Sequence, residues 1–152
     1  MAKIDSKYGS GVLPAPIPVA QEVLSVKARI TLTAGQVVNT NVLSLCVLPA
    51  DCVPVGYVLN SGDLDSNGAP AITLNLGILN DAETAISTSL LAASTIGQAG
   101  GIALHTASKT TYDAVSAITS TDKDRMVGVI VGTNPATAQA GFVELELLYK
   151  AV

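Results

Sequence analysis

The stretch Gly141–Lys150, GFVELELLYK, alternates without a break: Val143, Leu145, Leu147 and Tyr149 fall on one side, and Phe142, Glu144, Glu146 and Leu148 on the other. A period of two over this length predicts a β-strand with one face on a core and one face in water. Ser25–Leu32, SVKARITL, follows the same rule, with Val26, Ala28, Ile30 and Leu32 dry and Lys27, Arg29 and Thr31 wet. Between these two strands come further runs. NVLSLCVL places Leu43, Leu45 and Val47 on one face, and the turn Pro49–Asp51 closes it. VPVGYVLN turns Val55, Tyr57 and Leu59 inward, AITLNLGIL does so with Ile72, Leu74, Leu76 and Ile78, and RMVGVIVGT from Arg125 is strongly β-branched.

The middle is less regular. DAETAISTSLLAASTIG, from Asp81 to Gly97, reads as a short helix or two turns with an Asp cap and a terminal glycine. Shorter strands are expected at Gly101–Thr106 and Tyr112–Ile118. About eight short strands at this spacing predict an all-β fold, an antiparallel β-sandwich of the jelly-roll type. Residues 21–152 make one such domain. Residues 1–20 form an extended Pro/Gly-rich arm: Pro14, Pro16 and Pro18 remove backbone donors, while Val12, Leu13, Ile17 and Val19 make it apolar enough to lie on something. Its own domain and a neighbouring subunit are both open as the surface it covers.

Composition narrows the function. Apolar residues make up 49% of the 152-residue chain, aromatic residues 3% and charged residues 13%, against about 25% charge in an ordinary soluble domain. Such a surface calls for a membrane or for other subunits. The uncharged stretches Ile30–Ala50 and Thr84–Ser108 contain too many polar residues and glycines to be spans, so burial against subunits is the expectation. The N-terminus carries no apolar run behind its lysines, which predicts synthesis and use inside a cell. There Cys46 and Cys52 are expected to be buried free thiols. A net charge of −4, with 8 scattered Lys and Arg, argues against nucleic acid as a partner.

Candidate chemistry is sparse. GDLDSNGAP, Gly62–Pro70, copies the first half of a calcium loop through Asp63, Asp65, Asn67 and Gly68, but the position that should carry a bidentate glutamate is Leu74. A hairpin connection is the reading, with a weak cation site as its rival. His105 is the only histidine and no G-x-S-x-G turn accompanies it. IGQAGG from Ile96 lacks the Lys and Ser/Thr of a phosphate loop. TDKDR from Thr121 reads as a solvated turn. No catalytic residue, metal ligand or cofactor is expected.

The succession ITLTAGQVV, VLPADCVPVGYVLNSGDLDSNGAPAITLNLGILN, STIGQAGG, TDKDRMVGVIVGT and ELLYKAV resembles the small head-decoration, or cement, proteins of tailed bacteriophages. The resemblance implies a β-sandwich made in the host cytoplasm that binds the capsid exterior and ties capsomers together. Its implied partners are the major capsid protein and further copies of itself, as a homodimer or homotrimer. The arm residues Val12, Leu13, Pro14, Pro16, Ile17, Pro18 and Val19 are the expected partner-binding segment. The alternative is a sugar- or receptor-binding sandwich of a virion, which the lack of Trp disfavours. A β-sandwich hydrolase is a more distant rival.

Overall fold

The computed structural model describes residues 1–19 and 22–152. Its strands are β1 (Lys3–Asp5), β2 (Val23–Leu32), β3 (Val42–Leu48), β4 (Cys52–Ser61), β5 (Thr73–Leu79), β6 (Ile86–Ser94), β7 (Gly101–Leu104), β8 (Arg125–Thr133) and β9 (Gly141–Ala151), with one helix, α1 (Lys109–Ser116), between β7 and β8. Two sheets result, one in the order β1-β3-β8-β5-β6 and the other β2-β9-β4-β7. The fold is all-β. The pairing is nested: β2 lies antiparallel to β9, β3 to β8, β4 to β7 and β5 to β6. Every connection from β2 to β9 except the β5–β6 hairpin crosses from one sheet to the other.

The core lies between the sheets and is aliphatic. Val26, Ala28, Ile30 and Leu32 of β2 and Val143, Leu145, Leu147 and Tyr149 of β9 are all buried, each on the side the alternation predicts. Ile72, Leu74, Leu76 and Ile78 supply the opposite sheet. Two tyrosines are fully enclosed, and each hydroxyl finds a carbonyl, Tyr57 Oη donating to Leu90 O at 3.4 Å and Tyr149 Oη to Pro16 O at 2.5 Å. Burial pushes both phenols up to about 12. Cys46 and Cys52 are free and buried, and burial raises the Cys46 thiol to about 12.

Mid-strand glycines mark a close approach. Gly77 of β5 and Gly128 of β8 face each other across the ladder. A Cβ on Gly77 would come within 2.3 Å of Thr88 O, and one on Gly128 within 2.5 Å of Leu43 O. The neighbouring backbone leaves no room for either.

The structure departs from the sequence expectations in several places. A bulge between Ser44 and Cys46 resets β3, so Cys46 and Leu48 face the core and Val47 is only half-buried. Another between Pro54 and Gly56 turns Val55 outward. The Asp81–Gly97 stretch is not helical. Asn80 Oδ1 accepts from Thr84 N at 2.8 Å and Ala85 N at 3.2 Å, reversing the chain so that β6 pairs back onto β5. Tyr112–Ile118 is not a strand either, because α1 occupies most of it. Ser108 Oγ accepts from Thr111 N at 3.2 Å to cap the helix, and Val115 packs into the core.

Candidate docking surface

The first eleven residues are built into the fold. β1 adds in parallel to the edge of β3, and Lys3 pairs with Asp5 at 3.2 Å and Glu83 at 2.7 Å. Ser6 is buried, its N–H donating to Ser44 O at 2.9 Å and its hydroxyl to Leu45 O. The chain then turns, with Ser10 N donating to Ser6 O and Leu13 N to Lys7 O, both at 2.9 Å. The expected arm therefore supplies a strand and a turn before its proline-rich part begins.

Beyond that turn the predicted docking residues divide. Pro18 is buried against the domain and Pro16 offers its carbonyl to Tyr149. Val12, Leu13, Ile17 and Val19 stay exposed, at 69%, 42%, 75% and 73%. Pro14 is exposed as well. Four aliphatic side chains of one short segment thus face solvent with nothing covering them.

A second apolar patch lies at the far edge of the four-stranded sheet and was not foreseen. Ile102 and Leu104 of β7 are 62% and 42% exposed, pointing away from the core beside Asn60 and Val58 of β4. Val55 and Tyr112 are exposed nearby in the fold. His105 joins these parts. Its ring stacks on Tyr112 at 6.4 Å between centroids, and Nδ1 lies 3.3 Å from both the N and the O of Tyr57. A Cβ on Gly56 would sit 2.4 Å from the ring, so the glycine makes the histidine's seat. The lone histidine is a structural joint. The signal for this patch was present in GIALH, whose Ile102 and Leu104 share one face of a strand too short to need both.

The aspartate loop is a different kind of device. It links β4 to β5, which belong to different sheets, so it is a crossover and not the expected hairpin. Asp65 is buried and its carboxylate is ringed by backbone N–H groups. Oδ1 accepts from Thr137 at 2.8 Å and Asn67 at 3.3 Å, and Oδ2 from Ala71 at 2.7 Å, Ala136 at 2.8 Å and Ile72 at 3.3 Å. Burial alone would raise its pKa. The hydrogen bonds from Thr137, Ala71, Ala136 and Asn67 outweigh that and hold the carboxyl well below the usual carboxylate range. Among the described residues, no three His, Cys, Asp or Glu side chains converge as metal ligands.

The other motifs serve the scaffold. Gly97 O accepts from Leu64 N at 2.8 Å, and Gln98 Nε2 donates to Ile72 O at 3.1 Å. Asp124 takes Ala50 N at 2.8 Å, and Arg125 spans Thr119 O and Cys52 O, both at 2.9 Å. A cavity of about 730 Å³ beside the β5–β6 turn has Asp81 and Arg125 as its titratable lining, without histidine or cysteine. The Ser87 hydroxyl on its wall donates to Ile78 O at 3.1 Å. Among the described residues no helix is long and apolar enough to cross a membrane.

No protein-family model matches the chain, and no curated protein does. Solved structures do. A chain in the capsid of Ralstonia phage GP4 shares 34% identity over 99% of this chain and 98% of its own length, with a TM-score of 0.85. One in the capsid asymmetric unit of cyanophage Pam1 shares 27% identity over 92% and 93%, with a TM-score of 0.63. Both likenesses run nearly end to end.

Proposed function

We propose a role from the premise that this chain belongs to a family of phage capsid proteins, the one it shares with a chain of the Ralstonia phage GP4 capsid: it decorates the outside of a phage head and clamps neighbouring capsomers. The observation that carries this reading is the match in size. The likeness spans 99% of this chain and 98% of the capsid chain, so it is to a whole small subunit and not to one domain of a larger shell protein. An accessory subunit of this size has to be held by surface contacts. The major capsid protein is the partner, and the virion exterior is the location.

The architecture supports the same role. The nested pairing of β2 with β9, β3 with β8, β4 with β7 and β5 with β6 is the order of a jelly roll, a long hairpin wound into two sheets. Such a sandwich is rigid and presents its edges sideways. The exposed Val12, Leu13, Ile17 and Val19 form the docking segment. If all four become buried, each contributes about 1.5 to 3 kcal/mol before ordering costs are subtracted. Proline at every second position lowers those costs.

Removing residues 1–20 would strip β1 from its sheet, so the test replaces only the exposed side chains. The variant Val12→Ser, Leu13→Ser, Ile17→Ser, Val19→Ser keeps the parent's melting temperature within a few degrees. Its co-sedimentation with undecorated heads falls by orders of magnitude. Equal binding by the variant removes the segment from the mechanism, and no binding by the parent removes the decoration role.

A further inference from the structure

Gly68 sits in the crossover loop where the backbone does not require a glycine. Its φ lies outside the left-handed region, and a Cβ placed on it would meet nothing within 4 Å. The missing side chain instead leaves its nitrogen open to the residue before it. Of the chain's asparagines, Asn67 alone precedes a glycine. Asn134 precedes Pro135, whose nitrogen carries no hydrogen, and the others precede residues whose side chains crowd the approach. Ser66, Asn67, Gly68 and Ala69 are all exposed, so water reaches the pair. Among the described residues the N–H of Gly68 has no acceptor.

The loop also holds the Asn67 amide in place. Ala69 N donates to Asn67 Oδ1 at 2.9 Å, and Asn67 Nδ2 donates to Thr137 Oγ1 at 3.1 Å. The first bond falls on the oxygen that gains charge when a nucleophile adds to Cγ. A donor for the tetrahedral intermediate is therefore already set. The main chain of the same residue is tied to the buried aspartate, Asn67 N donating to Asp65 Oδ1 at 3.3 Å.

We propose that Asn67–Gly68 is a self-modifying site, at which the folded chain converts the Asn67 amide into a carboxylate. Gly68 N gives its proton to hydroxide or buffer and bonds to Asn67 Cγ; the Cγ–Nδ2 bond then breaks, and the amide nitrogen leaves as ammonia with a proton from water. The five-membered imide takes up one water. Opening between Cγ and the ring nitrogen gives an aspartyl residue, and opening at the α-carbonyl gives an isoaspartyl residue whose main chain runs through Cβ and Cγ. Water is the only co-reactant, and nothing is oxidised or reduced. Holding nucleophile and electrophile on adjacent residues replaces an enzyme. Both products put a negative charge near the Asp65 carboxylate, to which Asn67 N and Thr137 N both donate. The isoaspartyl product also lengthens the main chain by one carbon between the Asn67 and Ala71 donors of that carboxylate. The conversion thus loosens the Asp65 tie as the protein ages, whatever surface the protein docks on.

The test incubates the full chain at mildly alkaline pH, digests it in acid and follows the peptides by mass spectrometry. The peptide holding Asn67 gains the mass difference between NH and O, and a protein-isoaspartate methyltransferase labels it, while those holding Asn39, Asn60 and Asn80 stay unchanged. The yield rises with hydroxide concentration. Gly68→Ala, for which the loop has room, keeps the parent's melting temperature and slows the conversion about tenfold or more. The converted fraction, separated by ion exchange on its added charge, melts several degrees below the parent. Asn67→Asp, which has the charge without the longer main chain, melts between the two. An unchanged Asn67 in the folded chain, or equal conversion in Gly68→Ala, overturns the modification site. A converted fraction that melts with the parent overturns its link to the Asp65 tie.

Discussion

At the scale of single residues, Asp65 holds more of the chain together than any other polar group. Its two oxygens bind the nearby backbone around Ala71 and, 71 and 72 residues on from Asp65, that of Ala136 and Thr137. Because its pKa is lowered on folding, its contribution is fully present above the unfolded value of about 4 and is lost as pH falls toward the folded value. Asp65→Asn places an NH₂ donor among backbone donors. It lowers the melting temperature at neutral pH by several degrees, and the gap between variant and parent narrows below about pH 4. Calorimetry across that range checks both statements. A gap that stays constant would show that the charge is not what the loop uses. Each of these oxygens accepts two or three N–H groups, so the central aspartate of GDLDSNGAP serves as a tie between backbone segments.

Among the elements, α1 shows how a short helix survives in a β-sandwich. Eight residues are too few to be helical alone. The segment depends on the Ser108 cap, on the Lys109–Asp113 pair one turn apart and on Val115 packed in the core. The pair is exposed and contributes little. Ser108→Ala costs about 1 kcal/mol by removing the cap, measurable as a shift in the urea midpoint at unchanged slope. It also loosens the His105–Tyr112 stack. A variant with the parent's midpoint would mean that packing alone fixes the helix.

For the whole molecule, the informative quantity is where the charge is absent. Val12, Leu13, Ile17 and Val19, and likewise Ile102 and Leu104, contain no ionisable group. Attachment through the first four, as proposed above, has no Coulomb component for salt to screen. Binding to heads therefore holds at roughly 1 M salt, where the Debye length is about 3 Å. A loss of tenfold or more at that concentration, about 1.4 kcal/mol, would place the main contact on the Lys27–Arg29 face instead.

The alternation in Ser25–Leu32, Ile72–Ile78 and Gly141–Lys150 determined the strands and their dry faces, because a strand with one face on a core must repeat every two residues. Composition, with its few charges, set the expectation of a protein that assembles with others. The bulges in β3 and β4 were decided only by tertiary structure, since a one-residue slip depends on the partner strand. Asp81–Gly97 mixes Ala and Leu, which favour helix, with Ser and Thr, which do not, and Tyr112–Ile118 mixes Ala with Val and Ile, so the opposing local preferences do not choose. Pairing with β5 made the first a strand, and a cap with one buried valine made the second a helix. The donors around Asp65 and the exposed edge of β7 are likewise products of assembly: each joins groups far apart in the chain, and no local pattern encodes such a meeting.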